Sequence, residues 1–342
     1  MDHAHQEPDG GGLAGAVGTK KAEDLLRRNL QVEVEKAVPG AVVLGEPRRP
    51  YRGDRHFDEH IGVVRLGDIE LHLLVTDHWK ADGGLMFGVV PKVLWEKQKP
   101  ADRNNMIDAS CVCIIARMNG RVIVCETGIG NKISEKRAQQ FAIREPEDLL
   151  HALQRLGIRP EEVDAVVTTH LHWDHAGGLT RRNQQGALQL TFPKARHFIQ
   201  RSEWDFAVHP DVRSKSSYLI DDFTPLADGH NAVEFLTGDA EVLPGVHLRH
   251  VGGHTPGSQV LILQSGELAC VVTGDLVCQT PHLRVPWNMS ADLEPLRVFE
   301  QKARLFEEAE RHRWLLVLSH EPDQPAGYLE DGGRWRPEPR LA

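Results

Sequence analysis

The stretch Thr169-His170-Leu171-His172-Trp173-Asp174-His175-Ala176-Gly177-Gly178 sets three imidazoles and a carboxylate within six residues. At this density the side chains would need partners, or would repel one another when protonated. A divalent cation removes both problems, because neutral imidazole and carboxylate are its ordinary ligands. His170 and His172 are two apart, so in an extended segment they leave the same face and can close on one ion. Asp174 and His175, past the bend, can reach a second. The competing reading is a solvated histidine-rich loop. The residues before the motif, Asp164-Ala165-Val166-Val167-Thr168, form a short apolar, β-branched run that predicts a buried strand. The motif then falls on a loop at the carboxyl end of a strand, where open α/β sheets place their sites.

One loop supplies too few ligands, and three more candidates follow the same rule. His254 sits in Val251-Gly252-Gly253-His254-Thr255-Pro256-Gly257-Ser258, after the strand-like Val246–Val251. Asp275 ends the apolar run Val271-Val272-Thr273-Gly274-Asp275, and His320 ends Leu315-Leu316-Val317-Leu318-Ser319-His320. Taken alone, each could be a solvated loop residue. Taken together, behind strands, they could converge on one sheet edge.

The motif His-x-His-x-Asp-His, followed by Gly-Gly-His-Thr-Pro-Gly, Gly-Asp and a late Ser-His, resembles the metallo-β-lactamase superfamily. The resemblance implies an α/β protein of αββα sandwich type, with two mixed sheets flanked by helices and a dinuclear metal site. Carried onto this chain, it gives His170, His172 and His254 to one metal and Asp174, His175 and His320 to the other, with Asp275 bridging them. The segment Asp82-Gly83-Gly84-Leu85-Met86-Phe87-Gly88-Val89-Val90-Pro91-Lys92-Val93-Leu94-Trp95 resembles the branch that holds quorum-quenching N-acyl-homoserine lactonases and methyl parathion hydrolase. So do Glu126-Thr127-Gly128-Ile129-Gly130-Asn131-Lys132, Pro193, Ser202-Glu203-Trp204 and Arg213-Ser214-Lys215. The resemblance covers roughly residues 60 to 325. It implies a homodimer acting on a small molecule.

Two divalent ions at such a site lower the pKa of a bridging water toward neutrality and polarise the oxygen under attack. The expected activity is therefore lactone opening by a bridging hydroxide, with N-acyl-homoserine lactones as substrate. An aryl phosphotriesterase or a glyoxalase II-like thioesterase is the alternative, and a non-catalytic metal-stabilised scaffold the third reading. Zn²⁺ is the expected metal, with Mn²⁺, Fe²⁺ or Co²⁺ also suited to the carboxylates. Asp174 is the expected proton shuttle. The lactonases it resembles carry a substrate-contacting tyrosine three residues after the bridging aspartate, where this chain has Cys278, a much poorer donor. His282 is the nearest replacement, and a structural histidine is its other reading. Trp79, Met86, Phe87 and Trp95, with Cys278, are the expected substrate pocket, although the aromatics could equally be core.

The chain of 342 residues, 40% apolar, can bury one large core. Its formal charge of −9, from 40 basic and 49 acidic residues, argues against nucleic acid. No run of 18 apolar residues and no basic-then-apolar leader is present, so neither membrane nor secretion is expected. Five cysteines, an odd number, suit a reducing cytoplasm, and Cys111 and Cys113 read as core filler.

Residues 1–58 are expected to be a partly disordered extension with a charged helix from Lys20 to Ala37; His3 and His5 read as tail. The hydrolase domain is expected at 59–328 and a tail at 329–342, with Gly332–Ala342 as surface strap or disordered. Strands are predicted at Ile61–Leu66, Ile69–Thr76, Ser110–Arg117, Arg121–Glu126, Ala195–Ile199, Gln259–Leu263, Leu268–Thr273 and Trp314–Leu318. Helices are predicted at Pro146–Leu156, near Glu203–Val208, and from about Asp292 to His312. Residues 209 to 243 read as polar and irregular, with Tyr218, Phe223 and Phe235 available to cap the pocket. The element order suggests two pseudo-repeated halves.

Overall fold

Apolar strand runs, several of them buried on both faces, and glycine turns build both halves of the chain. The computed structural model describes residues 61–143, 148–228 and 232–339. The expectations for residues 1–58, including the helix from Lys20 to Ala37 and the tail histidines His3 and His5, lie outside these residues. β1 (Ile61–Leu66), β2 (Ile69–Asp82), β3 (Met106–Met118) and β4 (Arg121–Cys125) form an antiparallel meander. Asn119 and Gly120, with φ of 51° and 72°, make the left-handed turn that the Asn-Gly pair predicts between β3 and β4. β5 (Ala165–Val167) joins parallel to β4. After a two-stranded ribbon of β6 (Thr180–Arg182) and β7 (Leu188–Leu190), β8 (Arg196–Gln200) and β9 (Val233–Leu236) continue the first sheet in parallel.

The second sheet starts on the same plan. β10 (Ala240–Leu243), β11 (Val246–His250), β12 (Gln259–Ser265) and β13 (Leu268–Val272) form the meander. β14 (Leu315–Val317) then adds in parallel, and β15 (Ala326–Glu330) and β16 (Arg334–Pro337) close the sheet antiparallel. A meander followed by a parallel strand therefore occurs twice, which gives the two expected halves a topological basis.

Packing stacks the sheets. On β3, Val112, Ile114 and Ala116 face the second sheet, while Cys113 and Ile115 face the helix Asp148–Arg155. Between the sheets, Val64, Leu71, Ile114 and Phe198 meet Leu261, Leu263, Val272 and Val317, all buried. Each such side chain contributes about 1.5–3 kcal/mol. The helix Pro295–His312 covers the outer face of the second sheet through Val298, Leu305 and Ala309. The layers run helix, sheet, sheet, helix: the αββα sandwich. No helix among the described residues is long and apolar enough to cross a membrane, and all five cysteines are buried free thiols.

Three expectations are corrected. β2 does not stop at Thr76; an irregularity between Thr76 and Trp79 carries it on to Asp82. Asp77, at φ 44°, absorbs the extra length, as bulged residues do. Residues 209–243 hold short helices at Ile220–Phe223 and Pro225–Asp228, then β9 and β10. The expected C-terminal strap instead supplies β16, an edge strand paired with β15.

The buried stripe of the helix Pro295–His312 contains one exception, Lys302, which is 1% exposed. Its Nζ donates to the carbonyl of Trp287. Burial pushes its pKa down to about 8, against the opposing pull of Asp292. Between about pH 8 and the ordinary 10.5, the unfolded chain holds a proton that the folded chain has released. Stability from this group therefore increases as pH rises through that window and is least below it. Lys302→Met should remove that rise from denaturation midpoints measured across pH 7.5 to 10.5. A rise that survives the substitution would place its source elsewhere.

Candidate metal centre

Four strand ends deliver the seven expected ligands. His170, His172, Asp174 and His175 follow β5; His254 follows β11; Asp275 follows β13; and His320 follows β14. All seven come together. Ligand-capable atoms of His170, His172, His254 and Asp275 form one group within 4.8 Å, and those of Asp174, His175 and His320 form another. Asp275 faces both groups. Its Oδ1 lies 3.0 Å from His320 Nε2 and 3.3 Å from His175 Nε2, while its Oδ2 lies 3.2 Å from His254 Nε2 and 3.9 Å from His170 Nε2. Asp174 Oδ2 lies 3.6 Å from His320 Nε2.

The outward ring atoms are fixed, so the inward ones are presented. His175 Nδ1 donates to Glu126 (2.8 Å), His254 Nδ1 to Asp292 (2.8 Å), and His320 Nδ1 to the Ser110 carbonyl (2.8 Å). Each bond selects the tautomer whose Nε2 lone pair points inward. His170 shares a 3.1 Å bond with Thr169 Oγ1, and its buried Nε2 has no hydrogen-bond partner among the described residues. Facing nitrogens approach to 3.1 Å in two pairs, His175 with His320 and His172 with His254. Burial, then neighbouring imidazoles, hold His170 and His172 well below the ordinary pKa, in the neutral ligating form. Burial opposes charge on His175, His254 and His320 too, but Asp275 outweighs it and raises all three. Five buried imidazoles with nitrogens turned toward one shared carboxylate fit two divalent cations, which would replace the protons that Asp275 otherwise favours on His175, His254 and His320.

Two buried carboxylates missed as functional in the sequence brace the loops. Glu203 accepts from the Leu171 N–H (2.9 Å) and Tyr218 OH (3.1 Å) on one oxygen, and from Thr255 Oγ1 (2.5 Å) and the Gly257 N–H (3.2 Å) on the other. It thereby ties the His170–His175 loop to the His254 loop. Burial raises its pKa, and those bonds oppose the rise. Glu126 joins His175 to the Thr169 N–H. Its place at the end of β4 obeys the same strand-end rule, so that rule could have found it. Gly177 and Gly178 allow the 127–130 loop against the metal loop. A Cβ at Gly177 would lie 2.0 Å from the Ile129 carbonyl oxygen.

A cavity of about 340 Å³ opens on this centre, with His172, Asp174, His254, Asp275 and His320 in its floor. Trp79 and Met86 line it as expected. Phe87, Trp95 and Cys278 do not line it: Phe87 stacks between Trp95 (5.0 Å) and His282 (5.1 Å), so these aromatics are core. The Cys278 thiol is buried 3.5 Å from Asp275 Oδ1 and 3.3 Å from Met289 Sδ, and burial pushes its pKa well up. His282 is also displaced from its expected role. Its Nε2 donates to the Met86 carbonyl (2.7 Å), its Nδ1 accepts from the Gln279 N–H (3.3 Å), and burial holds it neutral, with a pKa of about 4. No ring nitrogen is left for substrate. Nor do Tyr218, Phe223 and Phe235 cap the cavity. Tyr218 is held by Glu203, Phe223 is fully buried, and Phe235 packs on Trp204. Phe141, Trp173, Arg137 and Arg213 line it instead.

A model of the metallo-β-lactamase superfamily matches residues 107–320, a span that contains every one of these ligands. The chain belongs to the metallo-β-lactamase superfamily. Among relatives, it is 27% identical over 183 residues to the N-acyl homoserine lactonase AiiA of Bacillus thuringiensis subsp. kurstaki, covering 53% of this chain and 64% of that protein. It is 28% identical over 186 residues to the N-acyl homoserine lactonase AttM of Rhizobium radiobacter, covering 52% and 65%. The match thus spans a little under two thirds of these relatives. A probable metal-dependent hydrolase from Staphylococcus aureus superposes with a TM-score of 0.75 at 30% identity, covering 81% of this chain and 99% of that one. AidC, a dizinc quorum-quenching lactonase, superposes at 0.66 and 20% identity, covering 82% and 97%, and shares the fold.

Asp275→Asn keeps the shape and removes the charge that faces both groups. It should lower metal affinity by more than the roughly 10–100-fold that losing an outer support costs, read as metal content after dialysis. His282→Ala should lower unfolding free energy by about 2–4 kcal/mol and leave metal content unchanged. Selective loss of turnover in folded protein would return His282 to a catalytic role.

Proposed function

We propose that this chain is a dinuclear-metal hydrolase that opens lactones, with N-acyl-homoserine lactones as the leading class. The observation that carries the reading is Asp275, whose two oxygens face separate histidine groups 3.0 Å and 3.2 Å away. His170, His172 and His254 would hold one ion, and Asp174, His175 and His320 the other. When bound, the two ions supply a water activated near neutral pH and a Lewis acid for the carbonyl oxygen. Zinc is the metal we expect, on the strength of five imidazoles in the set.

The chain's own residues do the rest. Asp174 lines the cavity beside His320, and in this reading it passes a proton to the departing ring oxygen. Glu126, Asp292 and the Ser110 carbonyl keep the imidazoles oriented. Trp79, Phe141 and Trp173 pack edge-on or tilted at 5.2–5.9 Å, giving an apolar wall that displaces water from an acyl group. Neither Cys278 nor His282 replaces the tyrosine of the lactonases that the sequence resembles, so carbonyl polarisation is left to the ions. The same aromatic wall suits an aryl group, which keeps aryl phosphotriester cleavage as the second reading.

Metal-loaded protein should release protons from N-acyl-homoserine lactones, and a chelator should abolish the release. The comparison set is simple lactones, an aryl phosphotriester and a lactoyl thioester. Phosphotriester or thioester cleavage with all lactones inert would overturn the lactonase reading and leave the metal centre standing.

A further inference from the structure

We propose that the preferred substrate carries a carboxylate at the end remote from the bond that breaks, and that Arg137 and Arg213 receive it. The inference rests on the lactonase reading and narrows its substrate. Besides its aromatic wall, the cavity is lined by Arg137, Arg213, Ser214, Ser216 and Ser217. Arg137 comes from the short helix Glu135–Gln140 and is held in place from two sides. Its guanidinium lies 5.5 Å from the Trp173 ring centroid, and its Nη2 donates to the Ser216 carbonyl at 2.8 Å. Arg213 reaches across the mouth to the Ser290 carbonyl.

Both cations bond to main-chain carbonyls, and a guanidinium has five donors, so capacity for an anion remains on each. The acids in the cavity lining are Asp174 and Asp275, both members of the metal-binding groups. Once those two are committed to divalent ions, the rest of the lining is neutral or positive. The carboxylates that act on the half-buried Arg137 are Asp174, a member of a metal-binding group, and Asp222, paired with Lys132 at 3.2 Å, and a purely apolar acyl tail would cover Arg137 without adding a partner of its own. A carboxylate supplies the charge-assisted, planar partner that a guanidinium takes best.

The test compares N-pentanoyl-homoserine lactone with N-glutaryl-homoserine lactone, equal in acyl length and differing in the terminal carboxylate. The proteins are metal-loaded wild type, Arg137→Gln and Arg213→Gln. In wild type the glutaryl compound should be favoured about tenfold in kcat/KM, mainly through KM, the size of one charge-assisted hydrogen bond. The preference should shrink with added salt. Because the ratio is read within each protein, a general loss of activity cancels; it should fall toward unity in Arg137→Gln and decrease in Arg213→Gln. Equal kcat/KM in wild type, or a preference untouched by both substitutions, overturns the inference. If neither lactone is opened, the lactonase reading fails, and calorimetry with the ring-opened compounds still decides the carboxylate site. Tighter, arginine-dependent binding of the glutaryl form supports it, and equal binding overturns it.

Discussion

A carboxylate buried among imidazoles is the constraint on which the rest of this protein depends. Asp275 is 9% exposed and has nitrogens of four histidines within 3.9 Å. Burial alone would penalise its charge, yet the surrounding imidazoles hold its pKa well below the usual carboxylate range. A lone buried charge is expensive, whereas one shared between two positive centres is stable and geometrically demanding. The demand passes outward. Each imidazole must turn a chosen nitrogen inward, which requires Glu126, Asp292 and the Ser110 carbonyl behind it. Those partners sit just past β4, on the approach to the helix Pro295–His312, and on β3, so segments from both halves must be in place for the centre to exist.

Glu203 shows how such a requirement shapes the chain at a distance from the metals. It touches no metal-binding atom, yet three of its four hydrogen bonds fasten two loops from opposite sheets, and the fourth takes Tyr218. Losing a satisfied buried carboxylate leaves its donors stranded, at about 1–3 kcal/mol each. The glycines serve the same end by a different route. Gly178 would place a Cβ 2.3 Å from the Thr127 carbonyl oxygen, so only a bare backbone lets the two loops meet.

The candidate ligands were legible because ligation is local chemistry: dense histidines, and single histidines or aspartates behind apolar runs, stand out without knowledge of the fold. The layer order came from the family resemblance: β3 is a continuous buried run with no alternation to show which face meets which layer, although the amphipathic Pro295–His312 does state its buried side. The pocket was not legible. Phe87 and Trp95 have the composition of a substrate wall but stack on each other and on His282, and composition cannot distinguish an aromatic facing a cavity from one facing a core. Arg137 was invisible because a six-residue polar helix looks like surface until its neighbour Trp173 is known to lie beneath it. The extra length in β2 was hidden as well, because a bulge shifts side-chain direction without changing residue type.

The repeated topology carries a consequence for how the protein matures. Each half contributes only part of the ligand set, and His320 arrives on β14, which is laid between β13 and β15 after the long helix has crossed the sheet. A nascent chain that has finished its first half presents His170, His172, Asp174 and His175 but has none of the nitrogens or oxygens that the second sheet brings. On the dinuclear reading proposed above, uptake of the full metal complement would be a late event, coupled to docking of one half on the other. Ions held there would latch together two halves that no disulfide joins among the described residues.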